Sequence, residues 1–505
     1  LFITAILAAS ERPVQGAPDL TPLPRLRTVP PRTLTTRETD TPMAEAASGD
    51  ATVHGHIAAR IDRLPLTWVQ WQLAILVEVT WGFIIVDTDG IGARLYPFVW
   101  RPAKLIGVDQ YAVIQALQVG LGILVGAYLM SWIAGKYGRR PAILMSAFLA
   151  GIFLWPFAHV SNYWTLVVLS VLSTIGVGGI VATHAVYLSE MIGPTVRGKV
   201  LLASQGSTAL VGVVINLVAY AWIPVHWQWF VWAGAIFQIV VLLPLLYWRL
   251  PESPRWLEAN GHAEDAERMM TEFETRVRRA HGAALPEPDH GQHPLLMSDK
   301  AAWRELFSNP RYRGRIILIL VCWLCCYPGL IYGVGAFIPT YMVDHGVSPH
   351  FVFMTFTAAY AVTFFAFLLN AAFGEGVERR DTMFVLGVLF ALAWVVAYFY
   401  PVGMVMAVCV IIGRICTTLF LFNLYNYTAV SFPTRIRSVA FAWTDGLGHL
   451  GAWAGVTLLG PLYQVGPNHL GWLLFIIIPG ALLPAVLIRS FGIRQSRAVL
   501  EQVST

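Results

Sequence analysis

The chain has 505 residues, of which 56% are hydrophobic and 12% charged, and its mean hydropathy is +0.61. Soluble proteins carry about 25% charged residues, so this composition excludes a soluble globular protein and describes one embedded in lipid. The formal net charge of +5 is scattered between apolar segments rather than gathered on one domain, which argues against nucleic acid as a partner.

From the N-terminus, Leu1–Ser10 is apolar but short and has no cationic segment before it, as a signal peptide would need. The first methionine is Met43, so residues 1–42 read as an upstream extension or a dispensable tail, within a disordered cytoplasmic tail over 1–70. Ile57–Leu66 is an amphipathic approach to the membrane. Apolar runs follow near 71–96, 111–133, 142–160, 163–188, 200–223 and 229–250, and again near 313–342, 349–373, 382–400, 402–427, 438–461 and 470–490. Each is long enough for one crossing, since a helix spans the hydrocarbon in about 20 residues. The expected architecture is all-α: a six-helix bundle over 71–250, a polar linker with short helices over 251–312, a second bundle over 313–490 and a tail over 491–505.

Charge orients the chain. With the N-terminus inside, the inner loops hold Lys136, Arg139 and Arg140, then Arg197 and Lys199, Arg379 and Arg380, and Arg435 and Arg437. The outer loops hold Arg101 and Lys104 after the first span and almost no Lys or Arg beyond them. The positive-inside rule then places both termini in the cytoplasm. The halves echo one another. Gly135…Arg139-Arg140 is matched by Gly376…Arg379-Arg380, and Pro194-Thr195-x-Arg197 by Pro433-Thr434-x-x-Arg437. Two related halves about a central site can alternate access by rocking.

The loop Ser131-Trp-Ile-Ala-Gly135-Lys136-Tyr-Gly138-Arg139-Arg140-Pro141 resembles that between the second and third helices of the Major Facilitator Superfamily. Tyr187-Leu-Ser-Glu190-x-x-x-Pro194-x-x-Arg197-Gly198 and Ser431-Phe-Pro433-Thr434-Arg435-Ile-Arg437 are similar to its later loops. Pro251-Glu252-Ser253-Pro254-Arg255-Trp256-Leu257 resembles the signature of sugar porters and related proton-linked organic-acid symporters. The resemblance implies twelve transmembrane helices in two pseudo-symmetric six-helix bundles, and a monomeric secondary transporter of the plasma (inner) membrane. It also implies a cytoplasmic gate in which Arg139 and Arg140 meet Glu190 and Glu252 in the outward-facing state, with Lys136, Arg197, Arg255, Arg379, Arg380 and Arg437 around it. The chain departs from the sugar porters in lacking an Arg in span four and a Pro-Glu-Thr run after span twelve.

Ionisable groups within a membrane are costly and mark function. Glu78, Asp87 and Asp89 in or near span one are candidate proton carriers; the span-one acidic pair resembles the Asp-x-x-Asp of organic-acid symporters with altered spacing. Arg414 lies about twelve residues into span ten, roughly 18 Å deep at ~1.5 Å per residue. It either clamps an anionic substrate, with Asp445 and His449 handling protons, or forms a structural salt bridge to Asp445. His449 stands where related transporters often have Arg. Gln118, Tyr332 and Asn423 are candidate substrate contacts, with Gln115, Gln205, Asn216, Tyr327 and Asn370 as further candidate lining. His184 reads as packing. Cys322-x-x-Cys325-Cys326 has no His or further Cys close by to complete a site, so these residues read as packing too. No catalytic residues, metal or cofactor are expected; the driving force is the proton gradient. The expected activity is proton-coupled import of a small organic anion. Uptake of a sugar or other neutral solute, and efflux, are the alternatives.

Overall fold

The computed structural model describes residues 56–84, 90–288, 299–373, 377–432, 434–465, 469 and 472–495. The expectations for residues 1–55, Asp87, Asp89, Gly376, Pro433 and the end of the C-terminal tail lie outside the described residues. No strand occurs among the described residues, and the order of helices is that of twelve membrane crossings.

The helices are α1 Trp68–Phe83, α2 Val108–Tyr137, α3 Arg139–His159, α4 Tyr163–Met191, α5 Pro194–Trp222 and α6 Trp227–Arg249. After the linker come α7 Pro310–Asp344, α8 Pro349–Phe373, α9 Arg379–Phe399 and α10 Gly403–Val430. Span eleven (α11) runs from Thr434–Phe441 through Ala442–Gly446 into Leu447–Tyr463, and α12 joins Leu473–Ile477 to Ile478–Phe491. Among the described residues, nine of these contain continuous apolar helices of 20 to 35 residues. Their large exposed residues, such as Trp164, Phe365 and Phe399, are apolar and face lipid rather than water.

Local chemistry sets the ends. Thr67 and Gln70 form a capping box on α1, and Asn162 accepts from the Thr165 amide at 2.9 Å to open α4. Pro194 and Pro310 occupy first-turn positions, where a missing N–H costs nothing. Gly138 turns α2 into α3 at φ +110°, and a Cβ there would collide with the Glu252 carboxylate. Glycine meets both demands at once.

Two features position the site. The halves meet where α5 lies along α8 and α2 along α11. Among the described residues five spans widen into π-helical turns, and three of these turns, at Gln118–Ile123, Tyr327–Gly333 and Ala442–Gly446, carry candidate site residues. Such turns frequently accompany functional sites, because the extra residue re-aims side chains. Pro328, which lacks an N–H, sits in the second of them.

The linker forms Pro254–Ala259, Ala263–His281 and Asp299–Ser308. The short helix His56–Asp62 ahead of α1 docks onto it. The Arg60 guanidinium donates to Glu274 at 2.7 Å and to Glu267 at 2.5 Å, and Arg63 donates to Glu274 at 2.7 Å. Burial pushes the Glu274 carboxyl up, but the hydrogen bonds from Arg60 and Arg63 outweigh it and leave it below its ordinary value.

Candidate functional site

Asp445, on the π-helical turn of α11, is the centre of a polar cluster. Tyr327 of α7 donates its hydroxyl to Asp445 Oδ1, and Tyr425 of α10 donates to the same oxygen at 3.3 Å. The two hydroxyls lie 3.4 Å apart. Three helices therefore converge on one carboxylate through two tyrosines. His449, one turn further along α11, points Nδ1 at the Asp445 carbonyl oxygen at 3.0 Å, and its ring lies 4.2 Å from that of Tyr327. The Tyr332 ring is 5.9 Å from Tyr327, and Trp323 backs Tyr425 at 4.7 Å.

The Arg414–Asp445 salt bridge, one of the two expectations for Arg414, is not formed. Asp445 meets Tyr425, which lies eleven residues beyond Arg414 on α10. That separation is roughly 16 Å at ~1.5 Å per residue, too far for an ion pair. Instead the Arg414 guanidinium sits 4.3 Å over the face of Tyr360 from α8. Its buried Nε has no hydrogen-bond partner, and no carboxylate pairs with it among the described residues. Tyr360 can lie against α5 because residue 212 is glycine; a Cβ there would meet the ring. The cation is thus held by an aromatic face at the junction of the two halves.

In the first half, Glu78 of α1 is fully buried, and neither carboxylate oxygen has a hydrogen-bond partner among the described residues. Gln118 Oε1, Gln115 Nε2 and Gln205 Oε1 are likewise buried and unpartnered there. Buried polar atoms left unpaired are costly, and each one that persists calls for a functional explanation. Asn423 spends its amide N–H on the Leu419 carbonyl at 2.8 Å. His184 stacks on Trp81 with ring centroids 4.9 Å apart, in keeping with packing.

The end of the bundle bearing Lys136 and Arg139, here the basic end, holds the residues expected to form a gate. Arg139 donates to Glu190 at 2.7 Å. Glu252 accepts from the backbone N–H groups of Arg139 at 2.8 Å and Arg140 at 3.2 Å, rather than from the Arg140 side chain. Arg140 instead reaches the Tyr247 carbonyl at 2.6 Å and covers the Tyr247 ring at 5.0 Å. Burial raises the Glu252 carboxyl above its ordinary value, while the amides of Ser253, Arg140 and Arg139 pull it down. Lys136 lies over the rings of Trp132 and Tyr137 at 5.2 and 5.1 Å. Arg197 donates to the Ile192 carbonyl at 3.0 Å, and Arg255 pairs with Asp62 at 2.6 Å. In the second half, Arg380 donates to the Gly492 carbonyl at 3.0 Å and Arg379 to Gln495 at 3.4 Å. The backbone of Arg437 continues α11; its side chain lies outside the described residues. The Arg139–Glu190 and Glu252 contacts lie wholly within the first half and its linker.

The opposite end carries links between the halves that sequence reasoning missed. Arg101, after span one, pairs with Asp344 at the end of α7, and Tyr463 of α11 donates to the same carboxylate at 2.7 Å. Tyr111 donates to the Ala336 carbonyl at 3.1 Å, and Gln464 donates to Asp109 at 3.0 Å. The signal was present: Arg101 is a cation at the end otherwise poor in cations.

The family described as "Sugar (and other) transporter" matches residues 107–492. A 4-hydroxybenzoate transporter, PcaK of Pseudomonas aeruginosa, is 27% identical over 449 residues, covering 85% of this chain and 93% of the relative. A gallate transporter of Pseudomonas putida is 26% identical over 423 residues, covering 80% of this chain and 88% of the relative. The inward-open xylose transporter XylE of E. coli has the same fold, with a TM-score of 0.63 at 16% identity over 86% of this chain and 98% of its own.

Proposed function

Because the chain belongs to the sugar (and other) transporter family, and is a Major Facilitator membrane transporter rather than an enzyme, we propose that it imports a small organic acid, aromatic acids foremost, together with protons. The observation that carries this reading is Arg414, a guanidinium in mid-span stacked on Tyr360 and without a carboxylate partner among the described residues. Such a cation is stabilised by an anion arriving from outside the protein. That two relatives transport 4-hydroxybenzoate and gallate adds support.

In this reading the basic end faces the cytoplasm, by the positive-inside rule, and the protein sits in the inner membrane. The acid binds with its carboxylate on Arg414, with Gln118, Tyr332 and the free carbonyl oxygen of Asn423 as further contacts. Glu78 and Asp445 accept protons, and Asp87 and Asp89 remain candidates beside them. The tyrosine hydroxyls both donate to Oδ1 of Asp445, so protonation on the other oxygen weakens these charge-assisted bonds. That weakening gives proton uptake a structural consequence in α7, α10 and α11. Closure of the Arg101–Asp344 end and rocking of the halves then release the load inward.

The test is proton movement in proteoliposomes challenged with 4-hydroxybenzoate, other carboxylates, sulfonates and sugars. External alkalinisation on adding a carboxylate is the expected result. A response to sugars alone would return Arg414 to a structural role and favour neutral-solute uptake. Accumulation of labelled carboxylate without proton movement would remove the coupling.

A further inference from the structure

We infer that the recess between α7, α10 and α12 at the basic end binds an anionic glycerophospholipid. The recess has a volume of about 400 Å³. Arg311 and Arg315 lie on its rim, and Leu318, Ile319, Phe491 and Ile493 form its apolar wall. Phe491 is 74% exposed, so the wall continues onto the lipid-facing surface.

The recess is built rather than incidental. Arg315 donates to the Ser431 carbonyl at 3.0 Å, and Tyr427 donates to the Ile493 carbonyl at 3.3 Å. Gln495, itself buried, bridges the Tyr427 carbonyl and the Ser431 hydroxyl at 3.0 Å each. These bonds tie the ends of α7, α10 and α12 into one floor. Cations outnumber carboxylates around it. Arg313 and Arg494 are exposed nearby in sequence, whereas Asp381 is paired with Arg489 at 2.7 Å and Glu378 accepts from the Gln495 amide at 3.0 Å. The α7 N-terminus opens on the same rim, with Asn309 capping the Arg311 amide at 3.0 Å. Basic pockets between membrane helices suit lipid phosphates. A phosphate at the rim with acyl chain along Leu318 and Phe491 uses both surfaces; free phosphate would leave the apolar wall bare. This inference does not depend on the identity of the transported solute.

The test is lipid retention by the full-length protein in detergent, followed by native mass spectrometry during titration with phosphatidylglycerol, phosphatidylcholine or inorganic phosphate. Phosphatidylglycerol should be retained over phosphatidylcholine, and Arg311→Gln should weaken it about fivefold. Leu318→Trp should abolish retention by filling the recess, while Arg304→Gln, exposed on the preceding helix, should leave it unchanged. Arg311 is exposed, so its variant decides the matter if Leu318→Trp does not fold. Equal retention of the two lipids, or wild-type affinity in Arg311→Gln, overturns the proposal. So does saturable binding of inorganic phosphate alone that displaces the lipid, since the site would then be a phosphate site.

Discussion

A guanidinium laid on a tyrosine face keeps its in-plane N–H donors available, and that is the state of Arg414 over Tyr360. Arg414→Ala is therefore expected to lower carboxylate uptake at least about 100-fold, the loss of roughly 3 kcal/mol of charge-assisted bonding. The variant should still reach the membrane. Arg414→Lys should recover little of this, because an ammonium lacks the planar fork. Unchanged uptake kinetics in Arg414→Ala would sink the clamp. Asp445 makes a separate prediction. Asp445→Asn keeps the shape but not the charge, so facilitated exchange of substrate should persist while accumulation against a gradient is lost. Counterflow and proton-driven uptake, measured side by side, separate these outcomes. Both residues are legible in the sequence as ionisable groups inside apolar runs. Of their partners, Tyr327 is readable only as candidate lining, and Tyr360 and Tyr425 are not readable at all, because tyrosine is common in membrane helices and only contact singles them out.

At the scale of elements, the docking of His56–Asp62 onto the linker helix Ala263–His281 centres on one buried carboxylate, Glu274, shared by two arginines. Arg60 and Glu274 are nearly buried, with side chains 8% and 7% exposed. Glu274→Ala leaves Arg63 without a carboxylate and Arg60 with only the exposed Glu267, at a local cost of roughly 3 kcal/mol. Hydrogen exchange should then show the amides of residues 57–62 losing protection, while those of α2 and α4 stay as they were. The same bonds give a pH dependence. Glu274 is held below its ordinary value of 4.5, so its contribution is fully present above about pH 4.5 and fades as pH falls through the folded value. Amide protection across the docked helix should follow that course. An amphipathic approach over 57–66 is readable from composition, but its partner lies more than 200 residues away in sequence, and no periodicity reports so distant a pairing.

At the scale of the whole molecule, the question is which end holds the halves together. The Arg101–Asp344–Tyr463 group and the Asp109–Gln464 contact tie them at the end away from the basic loops. Arg101→Ala removes a partly exposed pair worth about 1 kcal/mol, enough to raise the population open at that end about fivefold. Spin labels at Lys104→Cys and Val465→Cys should report this as a longer-distance population. An unchanged distance distribution would show that the pair is no latch.

The sequence alone determines the twelve crossings and the division into halves, because a bilayer core demands about 20 apolar residues per helix wherever a chain spans it. It determines as well which end is basic, since those cations stand in short loops between runs. The tertiary structure decided how the charges are used. Arg139 and Glu190 pair inside one half, Glu252 holds backbone amides, and Arg414 on α10 and Asp445 on α11 stand apart with separate aromatic partners. The reason is physical. Spanning is a property of each segment's own transfer from water to lipid, whereas an ion pair or a proton site depends on the depth and facing of two helices at once.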